Sequence, residues 1–175
     1  MEINLNKQGL EGVLDLEQYC KDNNIDVKEV IKLNCKCNKL TEIKGLDKLV
    51  NLENLLCGFN ELIEIKGLDK LVNLRRLDCY SNQLTELDLS KLVNLEMLYC
   101  SFNKLTELDL SKLVNLECLS CHNNKLTKLK GLNKLVNLEW LNGKEYIKPE
   151  PDKLNLILSK IEKLEQDIAE IKTKI

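Results

Sequence analysis

Between Val30 and Asn137 one unit of about 21 or 22 residues is written five times, and a sixth copy starts at Leu138 and soon breaks off. The copies read VIKLNCKCNKLTEIKGLDKLVN from Val30, LENLLCGFNELIEIKGLDKLVN from Leu52, LRRLDCYSNQLTELDLSKLVN from Leu74, LEMLYCSFNKLTELDLSKLVN from Leu95 and LECLSCHNNKLTKLKGLNKLVN from Leu116; the fragment is LEWLNGKEY. A unit this short cannot bury its own apolar side, so the copies have to stack and share one interior.

The first, fourth and sixth positions of each copy are apolar, the alternation of a short strand with one face inward. Stacked strands pair as a parallel ladder and join single Leu residues into a continuous core. The ninth position is always Asn: Asn38, Asn60, Asn82, Asn103 and Asn124. Where the chain leaves the strand, backbone groups need partners, and an amide side chain both donates and accepts. These residues are therefore expected to form a structural ladder. Ile43, Ile65, Leu87, Leu108 and Leu129 are expected to close the core from the far side, and KGLDKLVN or DLSKLVN to return the chain as a short helical turn or extended piece.

The LxxLxCxxNxL pattern, carried in register by five copies over about two thirds of the chain, resembles that of leucine-rich repeat proteins. The IKGLDKLVNLExL spacing is most similar to the internalin-like and phosphatase-regulator-like subclass. The resemblance implies an α/β fold, a leucine-rich repeat solenoid with a parallel concave β-sheet. It also implies a non-enzymatic module that binds a protein.

Residues 1–29 precede the repeats. Leu14, Leu16, Tyr19 and Cys20 form a loose helical face, which predicts an N-terminal helical cap over the open core. Repeats occupy 30–146. Pro149 and Pro151 mark a stop, and 147–175 change period. There Leu154, Ile157, Ile161, Leu164, Ile168, Ile171 and Ile175 form an a/d seam, which predicts a long C-terminal helix. In a parallel coiled coil Lys160 would face Glu165 and Asp167 would face Lys172, both attractive pairs. This helix is expected to cap the last repeat, to assemble a homo-oligomer, or both; the assembly role is the alternative to partner binding.

The 43% apolar content suits one buried domain, and a net charge of -2 with no basic face speaks against nucleic acid as a partner. The start lacks a basic and an apolar signal region, and no apolar run is long enough to span a membrane. A soluble, cytoplasmic protein is expected. Cys35, Cys57, Cys79, Cys100 and Cys121 share the sixth position and are expected to be a buried column of reduced thiols. Cys118-Leu-Ser-Cys121-His122 has the form of a haem attachment site, and Cys35-Lys-Cys37 that of a metal pair. The register sends alternate residues to opposite faces and disqualifies both, so neither cofactor nor metal is expected. The carboxylates Glu42, Glu64, Glu86 and Glu107 form a regular outer column rather than a catalytic cluster.

Positions two, three, five, seven and eight face outward and are free to vary. Arg75 and Arg76 are the only arginines, and Arg75 stands where four other copies carry Glu. Tyr80, Tyr99 and Trp140 lie on the same face, with Met97 beside them. Tyr, Trp and Arg dominate binding hot spots because they bury large area while keeping a polar handle. The candidate partner-binding patch is therefore Arg75, Arg76, Asp78, Tyr80, Met97, Tyr99 and Trp140. Phe59 and Phe102, at position eight, are expected to pack against the turn.

Overall fold

The computed structural model describes residues 1–145. The predicted C-terminal helix, its heptad seam and its oligomerisation residues lie outside the described residues.

In chain order the strands and helix are β1 (Glu2–Asn4), β2 (Glu11–Asp15), α1 (Leu16–Asp22), β3 (Lys32–Asn34), β4 (Lys39–Lys44), β5 (Asn54–Leu56) and β6 (Arg76–Asp78). They continue with β7 (Met97–Tyr99), β8 (Glu107–Asp109), β9 (Cys118–Ser120), β10 (Lys128–Lys130), β11 (Trp140–Leu141) and β12 (Lys144–Glu145). The main sheet runs β1-β3-β5-β6-β7-β9-β11-β12. It is parallel from β1 to β11, and only the β11–β12 pair is antiparallel. Like positions pair with like: Leu33, Leu55, Leu77, Leu98 and Leu119 form one row, each fully buried. Two smaller parallel pairs, β2–β4 and β8–β10, line the opposite side.

The Asn ladder is present as expected. In Asn82, Oδ1 accepts the Leu62 N–H at 3.0 Å, while Nδ2 donates to the Cys57 and Cys79 carbonyls at 3.1 Å. Asn60, Asn103 and Asn124 repeat the arrangement, each tying its own coil to the one before. A second ladder runs through the Val-Asn pair. Asn73, Asn94, Asn115 and Asn137 each donate to the Val carbonyl of the preceding coil, at 2.9–3.2 Å.

The two repeat lengths have two local solutions. Copies with KGL place Gly45, Gly67 and Gly131 at positive φ and follow with one 3-10 turn. The shorter copies have Asp-Leu-Ser instead, and the Asp88 and Asp109 carboxylates accept the Ser90 and Ser111 N–H groups at 2.9 Å. An Asx turn thus replaces a left-handed glycine at the cost of one residue.

Two expectations are corrected. The predicted N-terminal helical cap is only the seven-residue α1, N-capped by Asp15, whose Oδ1 accepts the Gln18 N–H at 3.0 Å. The rest of that segment is a further coil: Ile3 pairs with Leu33, and the Asn38 amide donates to Leu5 O at 2.8 Å and accepts from Leu10 N at 3.0 Å. A longer connection containing α1 hid this register. Of the five far-side residues, only Ile43 and Leu108 are fully buried. Ile65 and Leu87 line an open groove of about 720 Å3 where no back strand pairs, and Leu129 is 38% exposed on β10, the outer member of its pair.

The thiol column is buried and unbridged. Burial pushes the Cys35 thiol up to about 12 from an ordinary value near 9.0, and raises Cys57, Cys79 and Cys100 well above it. The native state therefore holds these protons where the unfolded chain releases them. Stability from this source is complete below about pH 9 and is lost as pH rises toward the folded values, with a slope of about 1.4 kcal/mol per pH unit for each thiol. Urea denaturation from pH 7.5 to 10.5 should show a flat region and then a fall, and Cys79→Val should make the fall shallower.

Asn82→Ala leaves the buried Leu62 N–H without an acceptor, while the Cys57 and Cys79 carbonyls each keep one donor, from Asn60 and Asn103, and it should lower unfolding stability by roughly 1–3 kcal/mol. Asn94→Ala, on the exposed ladder, should cost about 1 kcal/mol or less. The same urea denaturation measures both.

Candidate functional site

The open face of the main sheet carries positions three and five of every coil, with seven and eight just beyond. Parallel pairing in register lines Arg76 up with Met97, Cys118 and Trp140, and Asp78 with Tyr99 and Ser120. The structure thereby brings together most of the residues singled out from the sequence.

The Arg76 guanidinium carbon lies 5.1 Å from the Tyr99 ring centroid, a cation–π contact worth about 0.5–2 kcal/mol. A side-chain hydrogen bond with Cys118, and then burial, raise the Tyr99 hydroxyl above its ordinary value. On the far side of Tyr99, an open groove of about 480 Å3 is lined by Met97, Tyr99, Cys118, Ser120 and Trp140, with Glu117 and Glu139 at its rim. Trp140 is 49% exposed there.

Tyr80 belongs to a different feature. Its ring sits 5.1 Å from Phe59 and 5.1 Å from Phe102, and Phe102 meets His122 edge-on at 5.3 Å. The Lys36 ammonium covers the other end, 5.9 Å from Phe59. This ring ladder uses positions seven and eight in alternation. Phe59 and Phe102 are 48% and 43% exposed, which corrects the expectation that they pack against the turn. The reason lies in the backbone: position eight is left-handed in every coil, with φ of 56° at Phe59 and 57° at Phe102, and this turns the side chain outward. The sequence signal was available, since Phe59, Tyr80, Phe102 and His122 fall at the same turn of successive copies.

Two predicted site residues are placed otherwise. Asp78 is 5% exposed; its carboxylate pairs with Lys36 at 2.8 Å and accepts the Tyr80 N–H at 3.3 Å. Arg75 points to another edge, where it pairs with Glu96 at 2.9 Å beside Asn73 and Asn94. Cys118 is half-buried and His122 exposed, while Cys121 points inward, so the CxxCH residues do not converge. Among the described residues no group of three or more His, Cys, Asp or Glu side chains is placed to hold a metal ion.

Short coils stacked on a parallel sheet, with inward Leu at fixed positions and a buried Asn ladder, define the leucine-rich repeat class. This chain is a leucine-rich repeat protein. The family model for leucine-rich repeats in two copies matches residues 72–113 and 93–134. The chain is similar to the functional domain of InlJ from Listeria monocytogenes, at 31% identity and TM-score 0.62, covering 70% of this chain and 27% of that one. That structure is described as including a cysteine ladder. It is also similar to a leucine-rich repeat protein of Leptospira interrogans, at 33% identity and TM-score 0.63 over 67% of this chain and 32% of the other. A complex of TLR13 with single-stranded RNA, at 22% identity, TM-score 0.64 and coverage of 81% and 21%, shares the fold. The chain thus spans about a quarter to a third of the first two structures. No curated protein sequence matches it.

The left-handed backbone at position eight costs a bulky residue roughly 1–2 kcal/mol, and Asn tolerates it better. Phe59→Asn with Phe102→Asn should relieve that strain while removing ring contacts of about 0.5–1.5 kcal/mol each. Urea denaturation should find stability changed by no more than about 1 kcal/mol. A loss of about 3–5 kcal/mol, usual for truncating a buried Phe, would show that the rings are core.

Proposed function

We propose that this protein is a non-enzymatic binding module that engages a protein partner on the concave face of its repeats. The observation that carries the reading is the gathering of Arg76, Met97, Tyr99 and Trp140 on a single sheet face, where the repeat pattern asks for none of them. Large side chains with few rotatable bonds lose little entropy when a partner covers them, and they remove much area from water. The ring ladder of Phe59, Tyr80 and Phe102 extends that surface along the edge of the sheet. Arg75 lies outside the contact, while Asp78 supports the face by fixing Lys36 and the turn at Tyr80.

The class supports a protein partner in general, and fold alone does not fix which one. The test is a pull-down with the intact chain, repeated with Arg76→Ala, Tyr99→Ala and Trp140→Ala combined. Hot-spot truncations cost about 2 kcal/mol or more each, so affinity for the captured partner should fall at least about 30-fold, with the circular dichroism of the variant unchanged. Unchanged affinity would remove the concave face from the reading.

A further inference from the structure

The cations beside the binding face are matched with acids, with one exception. Lys32 meets Glu2 at 3.1 Å, Lys36 meets Asp78 at 2.8 Å and Arg75 meets Glu96 at 2.9 Å. Arg76 forms no salt bridge or side-chain hydrogen bond among the described residues, and its Nε is buried without a partner. Its nearest acid in sequence, Asp78, stands two residues along the same strand but is held by Lys36. The guanidinium rests instead against the ring of Tyr99. A buried donor without an acceptor costs about 1–3 kcal/mol, and because the Nε lies out of reach of solvent an incoming acceptor meets the outer Nη donors of the fork. Stacking on the ring also holds the planar fork in one orientation, so less freedom is lost when it is engaged.

We infer that the face takes a partner peptide segment that places a carboxylate on the Arg76 fork and a neighbouring large apolar side chain in the groove between Tyr99 and Trp140. This rests on the protein-binding reading and narrows it to a partner chemistry. A guanidinium fork matches a carboxylate bidentately, and one unmatched cation suits one negative charge. Glu117 and Glu139 on the groove rim and buried Asp78 oppose a doubly charged phosphate group. Nucleic acid fits less well. In the ring ladder the centroid spacings of 5.1–5.3 Å are too short for a base to enter between neighbouring rings, and the carboxylates of Glu117 and Glu139 at the groove repel a phosphate backbone. The groove itself, lined by Met97, Cys118 and Trp140, offers an apolar side chain more contact than a charged one.

The experiment selects binders to the full chain from a display library of random peptides, then measures the selected peptide and its carboxylate-to-amide counterpart by isothermal titration calorimetry. Wild type, Arg76→Gln, Arg76→Lys and Arg75→Gln are compared. The selected peptides should share an acidic residue beside an aromatic or large aliphatic one. Arg76→Gln should weaken the acidic peptide at least ten-fold and erase its advantage over the amide form, the coupling a double-mutant cycle reads. Arg76→Lys should keep part of that advantage, and Arg75→Gln should change nothing. Equal binding to wild type and Arg76→Gln, peptides with no acidic residue, a selection without binders, or displacement of the peptide by a poly(U) oligonucleotide that itself depends on Arg76 would each overturn the inference. If the pulled-down partner still depends on Tyr99 and Trp140 while Arg76→Gln leaves the peptides unaffected, the carboxylate falls and the protein-binding reading stands.

Discussion

Everything in this structure depends on how the backbone is satisfied where it leaves each strand. After its sixth position the chain turns away from the sheet, and its carbonyl and amide groups there point into a space filled by Leu side chains. An Asn amide solves this once per coil, because it can donate twice and accept once at the same place. In Asn60 the two donations, to Cys35 O and Cys57 O at 3.0 Å, reach its own coil and the preceding one, and the acceptance, from Leu40 N at 3.0 Å, reaches the preceding coil again. The interaction is therefore a joint between coils as well as a cap on a turn. It ends where the repeat ends: Asn142 of the broken copy accepts the Cys121 N–H at 2.9 Å and closes the last turn.

That joint sets what the sixth position can be. The carbonyls of Cys35, Cys57, Cys79 and Cys100 are the acceptors of the ladder, and their side chains point inward into a layer already crowded by Leu residues. A small apolar side chain fills that layer without forcing neighbouring coils apart, and a thiol does so with a weak donor and no charge. The same joint sets the left-handed residue at position eight, which aims its side chain out of the core. Structural demand inside thus creates a row of outward side chains one coil apart, and the chain has filled part of that row with rings.

Much of this was legible in the residues. The period fixed the stack, the Leu-Cys alternation fixed the inward face, and the invariant Asn pointed to a buried ladder, because each follows from chemistry that repeats. What was missed lacked a repeat or depended on a dihedral. The first coil was hidden because Ile3, Leu5 and Leu10 hold the right spacing but Gln8 stands where the ladder has Asn, and α1 lengthens the return. The outward aim of Phe59 and Phe102 follows from a positive φ that no side-chain pattern announces. Asp78 was grouped with the binding residues because its position faces outward, whereas its burial comes from Lys36, two coils away.

The contact between Lys36 and Asp78 also explains why the binding face is divided as it is. The ion pair spans from the first numbered copy to the third, passing over Gly58 in the copy between. A Cβ at Gly58 would stand 2.9 Å from Asp78 Oδ1, 3.1 Å from Tyr80 O and 3.4 Å from the Lys36 side chain, so a side chain there would crowd the ion pair. With glycine there, Asp78 turns toward Lys36 and away from Arg76, its neighbour on the same strand face. Arg76 is left to the ring of Tyr99 and to whatever approaches from outside. One absent methyl group thus separates a half of the sheet whose charges are internally neutralised from a half that still presents a cation, two aromatic side chains and a groove.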